Sequence, residues 1–410
     1  MGASSRPGAP AVIKIISMRA RDHGEAGASF MSRIARLDAL RAYCVIGVFL
    51  FHAHLFDNGW IGVQVFFVLS GFLITGILVD YKNRMSAGDF FINFYARRTL
   101  RIFPPFYFFL CVFAVLAATS LVPGREIGAR YLAELPYLAS YTENIRALAG
   151  DYVNSDYYSH LWTLSVEEQF YLVWPLALWL TPAARLTRLC LGAVVAAIAF
   201  RTGLTGYALL VAQDDNLFQI AVPRAPLSNV DAFATGALAL IAQREKSDMF
   251  QRAIRFSFAA AFGATAVVLA LALCKASARG ALFALTQDQV TQAAMYVWGL
   301  MFLNISAARL IDALSLPGDA ASSTALRLFD GRALQYLGMI SYGFYIYHDP
   351  MLALAQNVTS GSRAAGAYPL VAFAMTFAAA HLSYRYVETP FLALKDRLPR
   401  RIGVAGLHQR

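Results

Sequence analysis

The sequence predicts an all-α protein, a polytopic membrane helix bundle with about ten transmembrane helices. Three observations lead there. Hydrophobic residues make up 58% of the 410-residue chain and charged residues only 15%, against roughly 25% charged in soluble domains. The apolar residues are gathered in runs, most of them long enough to cross ~30 Å of hydrocarbon. Lys and Arg fall on alternate connections between those runs. This composition, with a mean hydropathy of +0.51, excludes an ordinary soluble enzyme and a disordered chain alike. The net charge of +10 does not point to nucleic acid, because its residues are scattered between apolar runs.

The elements follow in order. Residues 1–36 read as a basic cytoplasmic arm, expected to be disordered; no apolar core precedes a small-residue cleavage site there. Residues 37–390 read as one membrane domain. Its runs are 37–56, then 58–79 and 102–124, neither of which carries a charge, then 166–182. The run 189–211 is interrupted by Arg201, and 226–243, 256–274, 289–308, 333–356 and 364–384 complete the ten. Residues 391–410 read as a basic cytoplasmic tail.

Ten spans place both termini on one side. The connections on that side hold 26 Lys and Arg residues, and the alternate connections hold 7. The bias predicts cytoplasmic termini in a plasma (inner) membrane protein. It also places residues 124–165, the longest connection, outside. That segment is rich in tyrosines (Tyr131, Tyr137, Tyr141, Tyr152, Tyr157, Tyr158), expected to act as interfacial anchors or, alternatively, as sugar-stacking surfaces. The four cysteines, Cys44, Cys111, Cys190 and Cys274, each lie inside an apolar run with no ligand spacing. They are expected to be small buried hydrophobes, with no disulfide and no metal site.

Ionisable residues inside spans are functional candidates by default. Arg41 and His52 are eleven residues apart in the first run, so on a helix they share a face about 16 Å apart along the axis. Asp38 lies about 40° from His52 on the same wheel. Before the third run, an amphipathic stretch with Phe90, Phe91, Phe94 and Tyr95 carries Arg98 and Arg101 at i,i+3. Paired guanidiniums suit bidentate phosphate binding. At the fourth run, His160, Thr163, Glu167 and Tyr171 share a helical face, flanked by Ser165 and Glu168. Late in the chain, His348 and Asp349 are adjacent and so do not face each other on a helix. Pro350 is expected to kink or end the helix there. Glu388 closes the last run.

At these residues the chain resembles the acyltransferase-3 family of integral membrane O-acyltransferases, over roughly 36–400. Leu37-Asp-Ala-Leu-Arg-Ala with His52 resembles its Arg-x10-His signature. The runs Gly62–Ile74, Phe94–Pro104 and His160–Tyr171 resemble its second-, third- and fourth-span motifs. Tyr347-His-Asp-Pro and Glu388-Thr-Pro-Phe fit its C-terminal end. The resemblance implies transfer of an acyl group, acetyl above all, from cytoplasmic acyl-CoA to a carbohydrate hydroxyl, such as that of a surface polysaccharide or lipopolysaccharide.

The same resemblance implies site roles. His52 and Glu167 are the expected catalytic residues, with His52 either base or transient acyl relay. Arg41, Arg98 and Arg101 are expected to bind the donor. His160, Ser165, Glu168, Tyr171, His348 and Glu388 are expected to bind the acceptor or support the site. Membrane lipid, acyl-CoA and a carbohydrate acceptor are the expected partners; no metal and no nucleic acid are expected. Gln64, Ala39, Thr163 and Asp349 depart from the family pattern, so Gln64 and Asp349 receive no role. Composition alone also fits a secondary transporter or exporter using the same buried charges. No inverted repeat or pair of broken helices supports that rival.

Overall fold

A computed structural model describes residues 35–119, 125–149, 152–245, 287–315, 324–359 and 365–395. Most of the 1–36 arm, the 256–274 run with Cys274, and the 396–410 end of the tail lie outside the described residues. Among the described residues the chain is helical, with no strand. The main helices are α1 (35–52), α2 (Ile61–Lys82), α3 (Ala87–Ala118), α4 (Arg125–Ala139), α5 (Trp162–Leu180), α6 (Leu186–Gly206), α7 (Val230–Glu245), α8 (Leu300–Ser315), α9 (Arg332–Met339), α10 (Ser341–Thr359) and α11 (Tyr368–Ser383).

Among the described residues, four helical segments are long and apolar enough to cross a membrane: Ile61–Lys82, Ala87–Ala118, Ala183–Ala212 and Asp288–Ser315. The pair Leu217–Arg224 and Pro226–Glu245, bent by 66°, would make a fifth. The ten-span count therefore remains an expectation. Helices α5, α10 and α11 are 19, 19 and 16 residues long, and α5 and α10 turn polar side chains inward to build the site.

Several boundaries differ from the sequence reading. Residues 87–101, read as an interfacial stretch preceding the third span, are continuous with it in the 32-residue α3. Ser86 starts that helix by accepting the Asp89 N–H at 3.2 Å, a good N-cap. Pro104 and Pro105 lie inside without ending it; sheltered by neighbouring helices, such prolines are tolerated in membrane proteins. Pro350 likewise does not end α10, which continues to Thr359. The 333–356 run is two helices, α9 and α10, meeting at Ile340.

The basic helix ends gather at one end of the bundle. Lys82 Nζ donates to the carbonyls of Leu178, Trp179 and Thr181 at 2.8, 2.9 and 2.6 Å, capping the C-terminus of α5. Arg244 pairs with Asp80, and Arg36 with Asp330, each at 2.8 Å. At the other end, Tyr368 donates to the Ala53 carbonyl at 2.8 Å and Arg224 to Asn154 at 2.6 Å.

Close approach of small residues sets the packing of α2 on α7. A Cβ on Gly71 would fall 1.9 Å from the Phe233 carbonyl oxygen, and one on Gly236 1.9 Å from that of Val68. Backbones this close are the usual means by which membrane helices gain contact without a hydrophobic driving force. Phe233 fills the space beside the crossing, stacked on Phe170 at 4.1 Å. Arg201 crosses within α6 because it is fully buried against Asp231, at 3.0 and 2.8 Å. Asn304 adds a third bond to the same carboxylate at 3.2 Å. Leu172, Val173, Leu176 and Leu180 are exposed along α5; lipid, not water, suits such a face.

The 124–165 tyrosines correct the sequence reading. Tyr131, Tyr141, Tyr152 and Tyr158 are buried and so serve neither as surface anchors nor as sugar platforms. The segment folds back on α3. There Tyr131 donates to the Leu110 carbonyl at 2.8 Å, and Tyr141 stacks on Phe106 at 4.4 Å. Only Tyr137 of the six is well exposed. Of the cysteines, Cys44 and Cys190 are buried as expected, but Cys111 is exposed, on the long outward face of α3.

Candidate active site

Two sites stand at opposite ends of α1. The first is a cavity of about 650 Å³ lined by Arg41, Arg98, Arg101, Ser70, Glu167 and Tyr171, among others. Arg41 bonds Asp38 one helical turn before it. Arg98 lies over the Tyr171 ring, 5.0 Å from its centroid, a cation–π arrangement. Glu167 accepts from the hydroxyls of Ser70 and Tyr171, which fix it on one wall. The three arginines predicted to work together are thus brought to one cavity, because α1, α3 and α5 converge there.

The second site is at the far end of α1, roughly 16 Å along the axis from Arg41. His52 is the last helical residue of α1. The chain then reverses through His54 at φ 57°. This places His52 at the mouth of the bundle with its side chain 28% exposed. Its Nδ1 pairs with the Asp349 carboxylate.

Asp349 is the centre of the cluster. His160 Nδ1 lies 2.9 Å from its Oδ2, and His348 Nε2 lies 3.1 Å from its Oδ1. His160, His348 and Asp349 are all buried. His160 comes from the short 3-10 turn Ser159–Leu161 that opens α5, and the other two from α10. No role for Asp349 is expected from the sequence, yet among the described residues it is the one that touches all three histidines. Adjacent residues on a helix differ by 100°, yet both His348 and Asp349 reach the cleft between α1 and α5. The available signal was a buried carboxylate within an apolar run, itself a functional marker.

The remaining predicted residues divide between these sites. His160 and His348 join His52. Tyr171 joins the arginines. Glu167, paired with His52 in the sequence reading, also belongs to the arginine cavity: it lies seven residues beyond His160, roughly 10 Å along α5, and its hydrogen bonds go to Ser70 and Tyr171. Ser165 is buried in α5, and a Glu168 oxygen is buried without a hydrogen-bond partner. Glu388 is buried beside Gly343 of α10 rather than at a free helix end. Gln64, also without a role in the sequence reading, donates to Asn229 at 3.1 Å and ties α2 to the segment before α7.

A hydrogen-bonded wall separates the two sites. Tyr345 and Thr163 both line the cavity, and their hydroxyls are 2.7 Å apart. Tyr345 also donates to the His160 carbonyl at 3.0 Å. Its ring packs on His160 and His348, at 5.4 and 5.2 Å between centroids. The cavity therefore ends against the back of the histidine cluster. Chemically, one site offers convergent cations for an anionic group, and the other offers a carboxylate-held imidazole open to the exterior.

Comparisons with known proteins identify the family. Residues 34–385 match the acyltransferase domain of the acyltransferase-3 family. The chain is 27% identical over 378 residues to a putative peptidoglycan O-acetyltransferase of Bacillus subtilis, covering 87% of this chain and 54% of that protein. It is 26% identical over 374 residues to a peptidoglycan O-acetyltransferase of Listeria monocytogenes, covering 87% and 55%. An O-acetyltransferase of Staphylococcus aureus is 35% identical over 153 residues, 35% of this chain and 24% of that protein. The chain thus spans about half the length, or less, of these curated relatives. No solved structure matches. The match over most of the chain establishes that it belongs to the acyltransferase-3 family.

Proposed function

We propose that the protein is a membrane O-acetyltransferase that takes an acetyl group from acyl-CoA on the cytoplasmic side and delivers it to a carbohydrate hydroxyl on the other. The relatives' names favour a cell-wall glycan such as peptidoglycan as acceptor. The observation that carries the reading is the carboxylate–histidine pair His52–Asp349 at one end of α1, with Arg41 and its cavity at the other.

Arg41, Arg98 and Arg101 hold the phosphates of the donor. The Tyr345–Thr163 contact that closes the cavity must part for the donor's flexible arm to extend its thioester towards His52. A hydroxyl is a weak nucleophile until a base takes its proton. His52 takes that proton, and Asp349 holds the opposite ring nitrogen and stabilises the imidazolium that forms. Carbon–oxygen bond formation at the thioester carbonyl expels CoA thiolate, which leaves with a proton from His52. Glu167 sits on the wall of the donor cavity and orients the Tyr171 hydroxyl beside Arg98.

Release of free CoA thiol from acetyl-CoA by purified protein, dependent on a glycan acceptor, tests this function. His52→Ala should lower turnover at least ~10²-fold while leaving CoA affinity nearly unchanged. Arg98→Ala should instead weaken donor binding about ten- to a hundred-fold, the loss of one charge-assisted contact. Solute transport without thiol release would support a transporter instead.

A further inference from the structure

The histidine cluster has a feature that general base catalysis does not use. A backbone carbonyl oxygen only accepts hydrogen bonds. His160 Nε2 lies 3.1 Å from the Ile346 carbonyl, and His348 Nδ1 lies 2.5 Å from the Tyr345 carbonyl. Each of these nitrogens must therefore carry the proton. In the neutral ring, the other nitrogen of each is then a bare lone pair. Those two nitrogens, His160 Nδ1 and His348 Nε2, are the ones that face Asp349 at 2.9 and 3.1 Å. Both are buried and, apart from the Asp349 oxygens they face, have no hydrogen-bond partner. Two lone pairs aimed at a carboxylate repel it. A proton on the carboxyl group or on one ring relieves one of these contacts and leaves the other, and a proton on both rings places two imidazoliums in a buried site.

A cation between them resolves the conflict. Imidazoles that donate one N–H to a backbone carbonyl and turn the other nitrogen inward are the usual metal-ligating histidines. His52, His348 and Asp349 offer ligand atoms within 4.8 Å of one another, and His160 Nδ1 reaches the same carboxylate. Three imidazoles and one carboxylate supply the four N/O ligands of a tetrahedral zinc site, and two imidazoles with the carboxylate leave the fourth position to water. We infer that His160, His348 and Asp349, completed by His52, bind a divalent transition-metal cation of the zinc class, and that occupancy opposes acyl transfer by drawing Asp349 off His52. The inhibitory half rests on the proposed role of His52; the binding half does not.

The sequence gives no sign of such a site, because its ligands come from positions 52, 160, 348 and 349 with no short ligand spacing. His52, the one partly exposed member, gives the cluster its access from outside.

The probe is Co²⁺, added to purified, metal-stripped full-length protein in detergent without donor or acceptor. The expected result is one equivalent bound with the visible absorption of a tetrahedral site, displaced by Zn²⁺. Zn²⁺ should raise the thermal unfolding midpoint of the wild-type protein. His348→Gln and His160→Gln should bind at least ~10²-fold more weakly than wild type. Absence of a tetrahedral Co²⁺ spectrum in the wild type overturns the site whether or not the variants fold. Equal binding in folded variants also overturns it. Stoichiometric Zn²⁺ should suppress acetyl-CoA thiol release; Zn²⁺ bound at this site without suppression overturns the competition. Loss of the His52 role would show separately, as unchanged turnover in metal-free His52→Ala.

Discussion

Asp349→Asn removes one negative charge and keeps the shape of the side chain. Of the three imidazoles around Asp349, His160 and His348 each hold a proton on a backbone carbonyl, so neither serves the acceptor. In the proposed reaction His52, the one partly exposed imidazole of the three, is the one that gains a proton. The charge on Asp349 is therefore spent on the His52 imidazolium. A hydrogen bond to a charged partner contributes about 1.5–3 kcal/mol, so the asparagine should lower kcat about ten- to a hundred-fold. Donor affinity should not change, because Asp349 is not among the residues lining the arginine cavity. Acetyl-CoA thiol release by purified protein, with kcat and the donor KM measured separately, reads both quantities. Asp349→Glu, which restores the charge on a longer arm, should recover part of the loss. A folded Asp349→Asn protein with wild-type kcat, or a loss confined to the donor KM, would refute the role given to this carboxylate.

Two further predictions concern the scaffold. Gly236→Ala places a methyl group 1.9 Å from the Val68 carbonyl oxygen; the helices must part, at a cost of about 1–3 kcal/mol. A lowered thermal unfolding midpoint in detergent should result, and an unchanged midpoint would show that the crossing is loose. Burial pushes the Glu143 carboxyl up to about 7 from the usual 4.5, with Arg224 and the Tyr152 hydroxyl acting in the opposite direction. The folded chain then holds more protons than the unfolded chain between those values, so Glu143 lowers stability progressively as pH rises from about 4.5 to 7. Glu143→Gln should flatten that part of the melting-temperature profile; an identical slope in wild type and variant would contradict it.

Much of the architecture is legible in the sequence. The uncharged runs at 58–79 and 102–124 correspond to α2 and α3. Composition alone specifies this much because lipid demands long apolar helices. The arginine cavity is partly legible: Arg41 and the Arg98/Arg101 pair stand out as charges at apolar runs, but their meeting depends on how α1, α3 and α5 cross. The histidine cluster is the least legible. His52 and Asp349 are nearly three hundred residues apart, and no local spacing links them. The adjacency of His348 and Asp349 argues against a pair within one helix, but it does not exclude a shared third partner. The 124–165 tyrosines mislead for a related reason: aromatic content suggests an interface, whereas the segment packs on α3 and buries them.

In the proposed reaction the donor and the acceptor meet a single enzyme from opposite ends of α1. Reconstitution into vesicles with one orientation, labelled acetyl-CoA confined to one face and a glycan acceptor to the other, tests it most directly. Labelled acetyl should reach the acceptor across the membrane when the donor is on the face where Arg41, Arg98 and Arg101 open, and not in the reverse arrangement. Transfer only when donor and acceptor share a face would contradict the account.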